Sequence, residues 1–228
     1  MAKVFCTVTN SFIGRLSAGV LSAVEKHIID SGLGSDKDSF EVIKERLVNP
    51  PVMTADEFAF EAIYVILAGG FRQAVAKRKF HEIAGYIESG GEVTPENLLK
   101  IFGNLNKVRA IAKIWNGRHA YRDRFYAIPD DGLKIEYLGR LPHIGEITKS
   151  HLARNLGITN VKYDVWIQRL GIALCGGSGM SEGFPLRPEV RDACDRMFSA
   201  LERETGLNRG YLDVILWKAC QTGMFKFE

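Results

Sequence analysis

The stretch EYLGRLPHIGEITKSHLARNLG, Glu136 to Gly157, places Leu-Pro-His-Ile-Gly between two segments of helical pattern. Those five residues do not continue a helix, since proline breaks the backbone ladder and glycine favours a turn. A tight hairpin here predicts several outward-pointing backbone N–H groups at the start of the second helix. Such amides, aided by the helix dipole, hold a phosphate without reading a base. From these residues alone, an ordinary helix–helix corner is an equal alternative. Seven residues after Gly157, Asp164 opens a further helical segment, DVWIQRLG.

Outward from this stretch, helical periodicity dominates and alternating strands are scarce. SFIGRLSAGVLSAVEKHIID carries Phe12, Leu16, Val20, Val24 and Ile28 on one stripe, with Asn10 or Ser11 as its cap. TADEFAFEAIYVILAGG begins with Thr54 and acidic residues and stops at Gly69-Gly70. Further helices are predicted in FRQAVAKRKFHEIAGYIES, TPENLLKIFG, LNKVRAIAKIWNGRHAYRDRF, DGLKIEYLGR and GEITKSHLARNLG. RPEVRDACDRMFSALERETG and NRGYLDVILWKACQTG complete the series, and CGGSGMSEGFPLRP reads as a surface loop.

The 228 residues suit one large unit or two interlocked lobes, and 46% hydrophobic content is ordinary for a globular chain. A net charge of +3 neither demands nor excludes a polyanion, but basic residues cluster in FRQAVAKRKFH and NKVRAIAKIWNGRHAYRDR. No apolar run is long enough to span a membrane, and the start lacks the pattern of a signal peptide. Cys6, Cys175, Cys194 and Cys220 show no CxxC pair or ligand spacing, so reduced thiols in a cytoplasmic protein are expected.

The order of an apolar helix, NKVRAI, the LPHIG hairpin and an aspartate opening the next helix resembles the helix-hairpin-helix (HhH-GPD) DNA glycosylase superfamily. Endonuclease III and the adenine and oxoguanine glycosylases are members. The resemblance spans roughly residues 54–171. LPHIGEITKSHLARNLG followed by VKYD looks most similar to a bacterial and phage branch that includes predicted alpha-glutamyl/putrescinyl thymine pyrophosphorylases. The resemblance implies an all-α, two-lobed fold with DNA across a cleft. Lobe one would be about residues 71–163, with its hairpin at 141–145. Lobe two would combine residues 1–70 and 164–228, with Asp164 at the passage between lobes.

Cleaving an N-glycosidic bond leaves positive charge growing on the sugar, which a nearby carboxylate stabilises while orienting water. The resemblance gives Asp164 that role; from the residue alone it is a helix cap. In the superfamily, members that also cut the strand carry a lysine two residues after the hairpin glycine. Here that position is Ile147, and Lys149 lies roughly 200° away around a helix. A monofunctional, water-using enzyme is therefore expected, with Lys162 able to approach Asp164 from the preceding loop.

Flipping a base from the duplex requires a wedge and stacking surfaces. Gly69, Gly70 and Phe71 stand where relatives often place a glutamine, which leaves room for an enlarged base; a plain helix stop is the alternative. Arg72 is a second wedge candidate. His151, Tyr163 and Trp166 are further pocket candidates, against core roles for the same residues. Trp217, a further aromatic candidate, reads more simply as core, and Asp213 reads equally as a second carboxylate at the site or as part of an exposed helix face. Phosphate contacts are expected from His143, Gly145, Ile147, Thr148 and Lys149, with Asn106, Lys107 and Arg109 as outlying contributors. The resemblance adds a monovalent cation on the hairpin carbonyls; no nucleotide, iron–sulfur cluster or catalytic metal is called for. DNA is the expected partner of a monomer. The leading function is excision of a modified or damaged base, including a bulky phage-type pyrimidine. The competing functions are a transferase of thymine hypermodification and a DNA-binding module without catalysis.

Overall fold

Thr54 and Glu57 fix where the central helix begins. The Thr54 hydroxyl accepts the Glu57 amide at 3.2 Å, and the Glu57 carboxylate accepts the Thr54 amide at 2.7 Å, a reciprocal capping box. The computed structural model describes residues 6–8, 18–32, 38–177 and 180–227. The proposed cap at Asn10 or Ser11 and the stripe residues Phe12 and Leu16 lie outside them. Among the described residues are twelve helices and one pair of three-residue strands, so the fold is all-α.

The chain forms two compact units, Val48–Ile158 and Met1–Leu47 with Thr159–Glu228. The expected lobes divided differently: residues 48–70 belong to the central unit, because the helix they contain supplies much of its core. That unit holds α3 (Ala55–Ala68), α4 (Gln73–Glu88), α5 (Pro95–Leu99), α6 (Leu105–Asn116), α7 (Arg118–Ala127), α8 (Asp131–Leu138) and α9 (Glu146–Asn155). From Phe58 to Leu67, α3 is buried at every position but Phe60, and it packs on α4, α6, α7 and α9. Each large apolar side chain so buried contributes about 1.5–3 kcal/mol relative to exposure. The helix expected over LNKVRAIAKIWNGRHAYRDRF is divided at Gly117, where α6 ends and α7 starts. A Cβ on Gly117 would lie 2.7 Å from the Tyr121 ring, so the tyrosine occupies the space that the missing side chain leaves.

The other unit holds β1 (Cys6–Val8), α1 (Ala18–Asp30), α2 (Phe40–Val48), α10 (Val165–Leu174), α11 (Pro188–Thr205), α12 (Arg209–Gln221) and β2 (Phe225–Phe227). Helix α12 is buried from Gly210 to Cys220, which explains a pattern too apolar to show one clean face. Helices α10 and α11 approach closely at Gly171, where a Cβ would lie 2.5 Å from the Cys194 sulfur. Gly206, at φ 70°, ends α11 in the left-handed conformation that glycine adopts without strain. Strands β1 and β2 pair in parallel, Cys6 opposite Phe225.

Candidate functional site

The hairpin between α8 and α9 is anchored by its apolar residues. Leu141 and Ile144 are buried in the central core, and the Ile144 amide donates to the Leu141 carbonyl at 3.1 Å. This leaves His143 exposed at φ 62°, the one non-glycine residue with positive φ among those described. Histidine tolerates that region better than a β-branched residue does.

Gly145 caps α9 and donates its N–H to the Thr148 hydroxyl at 2.7 Å. The Gly145 amide is thus engaged inside the turn, contrary to the expected phosphate contact. Glu146, Ile147 and Thr148 form the first turn, whose amides have no acceptor within the helix and carry the positive end of its dipole. Lys149 also departs from expectation. Its ammonium pairs with Glu136 at 2.7 Å and Glu146 at 3.0 Å. Burial alone would lower its pKa, but the bonds to the two glutamates outweigh it and raise it.

A second feature of the same unit adjoins the hairpin. An ideal Cβ on Gly69 would sit 3.6 Å from the Thr148 methyl, and Gly70 (φ 77°) has nothing within 4 Å of its own. Phe71 follows, 41% exposed, with its ring edge-on to Phe102 at 5.5 Å. Beneath it lies Lys107, its ammonium 4.5 Å from the Phe71 ring centre. The ammonium donates to the carbonyls of Ile66 at 2.6 Å, Leu67 at 3.4 Å and Gly69. Lys107 therefore caps the C-terminus of α3 instead of reaching outward for phosphate. Burial draws its pKa down to about 8. Burial first, then the Lys107 charge, lowers that of His143. The sequence carries a signal for this lysine: it shares one helical stripe with Ile111 and Ile114, both buried.

His151 is placed in the core rather than at a pocket. It is 5% exposed, with its ring edge-on to Tyr64 at 6.1 Å. One turn further on, Asn155 donates to the buried Glu61 carboxylate at 3.1 Å. This face of α9 is therefore used to pack on α3.

In the other unit, Asp164 is the N-cap of α10. One oxygen, Oδ1, accepts the amides of Trp166 at 3.0 Å and Ile167 at 3.4 Å. The other, Oδ2, lies 3.1 Å from the Lys162 ammonium, so the predicted approach of Lys162 is realised. Lys162 is 8% exposed and stands 4.8 Å from the centre of the Trp217 ring, a contact that sequence reasoning missed. Tyr163 donates to the Asp195 carboxylate at 2.5 Å, and Arg191 lies over its ring. Burial and that carboxylate push the phenol pKa up. Trp166 is half-buried beneath the Arg169 guanidinium. Asp213 is fully buried, so it does not lie on an exposed helix face.

A carboxylate fixed through one oxygen by two amides can stabilise developing positive charge through the other. A helix start with outward amides can seat a phosphate oxygen. Gln168, one turn after Asp164, accepts the Gly183 amide at 2.9 Å. It lines an open cavity of about 240 Å³ together with the loop that carries Phe184.

No protein family's sequence profile matches the chain, and no curated protein matches it in sequence. Its backbone is similar to that of the 8-oxoguanine DNA glycosylase of Methanocaldococcus jannaschii, with a TM-score of 0.61 and 20% identity over 90% of this chain and 94% of that one. The same organism's 8-oxoguanine glycosylase/lyase in complex with a 15mer DNA containing 8-oxoguanine gives 0.59 and 20%, over 80% and 90%. The 8-oxoguanine DNA glycosylase of Thermotoga maritima gives 0.56 and 18%, over 87% and 94%. The chain has the all-helical fold of these DNA glycosylases.

Proposed function

We propose that the protein is a DNA N-glycosylase that excises a flipped base and leaves an abasic site. The observation that carries this reading is Asp164, held as a helix cap with one oxygen on two amides and the other beside Lys162, in a chain with this fold. The bond between C1′ and the base nitrogen breaks with its electron pair leaving on the base. Asp164 stabilises the resulting sugar cation, a water oxygen bonds to C1′, and the proton that this water loses is balanced by protonation of the departing base nitrogen. The hydrolytic route, without strand cleavage, is favoured by Ile147 in the position of the superfamily's amine. It is favoured also by the engagement of Lys149 with two glutamates.

On the central unit, the amides of Ile147 and Thr148 would seat a phosphate. Phe71, rigidly propped by Phe102 and Lys107, would wedge into the stack. A monovalent cation at the hairpin would draw on the carbonyls of Pro142 and His143, since those of Leu141 and Gly145 already accept backbone amides. The side-chain-free turn at Gly69-Gly70 favours an enlarged base, and bulky modified pyrimidines head the substrate list.

The test is mass spectrometry of material released from ordinary DNA, from 8-oxoguanine DNA and from DNA carrying glucosylated hydroxymethylcytosine. A free base together with alkali-labile abasic sites is expected from one substrate. Attachment of an amine donor to an activated base, with no base released, would overturn the proposal in favour of a transferase.

A further inference from the structure

We infer that Lys162 is a built-in stand-in for the cationic sugar, an inference that rests on the reading of Asp164 above. The two Asp164 oxygens are used differently. Oδ1 is tied to the first turn of α10, whereas Oδ2 meets, among the described residues, a side chain that can move, the Lys162 ammonium at 3.1 Å. An ammonium at hydrogen-bond distance from a carboxylate stands in the same electrostatic relation as a sugar gathering positive charge at C1′. Two cations cannot share that place, because like charges a few ångströms apart repel strongly where water is scarce.

Lys162 thus performs two tasks in sequence. Before DNA arrives, it compensates the negative charge of the poorly exposed carboxylate, which would otherwise be buried alone. As positive charge develops on the sugar, it yields Oδ2. Its long flexible stem permits the withdrawal, and the Trp217 face, already 4.8 Å away, continues to hold the ammonium once the carboxylate is released. The amide bonds to Oδ1 remain, so the carboxylate stays in position while its partner changes.

The experiment compares affinity for two DNA duplexes, one with a neutral tetrahydrofuran abasic site and one with a pyrrolidine whose ring nitrogen is protonated. The quantity read is the preference for the charged duplex. Lys162→Met and Lys162→Gln should each raise it by about tenfold, because the competing cation is gone. Asp164→Asn should abolish it. Circular dichroism establishes that each variant is folded, and the second lysine variant guards against failure of the first. An unchanged or diminished preference in both lysine variants overturns the inference. So does a borohydride-trapped adduct on Lys162 with abasic DNA, which would make the lysine a nucleophile. Failure of the glycosylase reading looks different: the wild type binds neither duplex, and the inference falls with it.

Discussion

The starts of α9 and α10 lie close in sequence, their caps at Gly145 and Asp164, yet they are finished in opposite ways. At α10 the cap is a carboxylate that consumes two of the helix's own amides and adds a lysine to balance the remaining charge. At α9 the cap is a glycine, the Thr148 hydroxyl satisfies the turn from within, and the following amides point outward. One helix start is electrostatically closed and the other open. The difference teaches that a helix N-terminus is available to an anion only where the cap leaves its dipole uncompensated. Glu146 and Glu136 lie close to the open start, and they bind the lysine that was expected to serve it.

The contrast breaks first, and most severely, at Asp164. Asparagine caps helices as well as aspartate does, so Asp164→Asn should keep the start of α10, and any fall in the thermal midpoint should come only from the Lys162 ammonium left without its carboxylate. Base release should nevertheless fall by about 10³-fold, the order of a lost transition-state interaction. A cap alone would show no such fall, and single-turnover base release measured beside calorimetry separates the two.

The next effect concerns folding. Lys107→Met removes the ammonium from the carbonyls of Ile66, Leu67 and Gly69 and should cost about 2–3 kcal/mol in chemical denaturation. Lys107 also sets a pH dependence. Its folded pKa, about 8, lies below the ordinary 10.5, so between those values the unfolded chain binds more protons. Stability from this residue therefore rises with pH across that window, and Lys107→Met should flatten the rise seen in denaturation curves.

Phe71→Ala removes the proposed wedge and should weaken binding to abasic-site duplex by about tenfold, in keeping with the worth of one stacked base. Binding titrations on single-stranded DNA should show a smaller loss. The smallest expected effect sharpens the open half of the contrast. Ile147→Pro deletes one outward amide in the first turn, where no intrahelical hydrogen bond is lost, and should reduce DNA affinity by about fivefold. Glu146→Gln should act in the opposite sense, strengthening binding. It should also steepen the log–log salt dependence towards one further phosphate contact, about −0.9.

Much of this was legible from residues. Thr54 with the acidic residues that follow it marked a helix start because capping is local chemistry that spacing reveals, whereas the caps Asp130 and Asn208 were not picked out. Asp164 and Lys162 stand two residues apart, and their pairing could be anticipated. Tertiary partners were not legible in the same way. Lys149 finds Glu136 on the preceding helix, and His151 turns to Tyr64, because packing on α3 decides which face of α9 is buried. FEVIKERLV, now α2, was passed over because only Phe40, Ile43 and Leu47 of its nine residues are buried, which makes a short stripe. The strands escaped notice because three residues cannot show an alternation.

The parallel pairing of β1 with β2 has a consequence for biosynthesis. Residues 48–158 contain every buried side chain of the central core in one continuous run. The other core draws on both ends of the chain and includes Val8 and Phe225. On the ribosome, the hairpin's half of the molecule has all its own packing partners well before the last strand is made. The unit that carries Asp164 must wait for Phe225 to emerge, so the proposed phosphate seat is completed ahead of the carboxylate's surroundings.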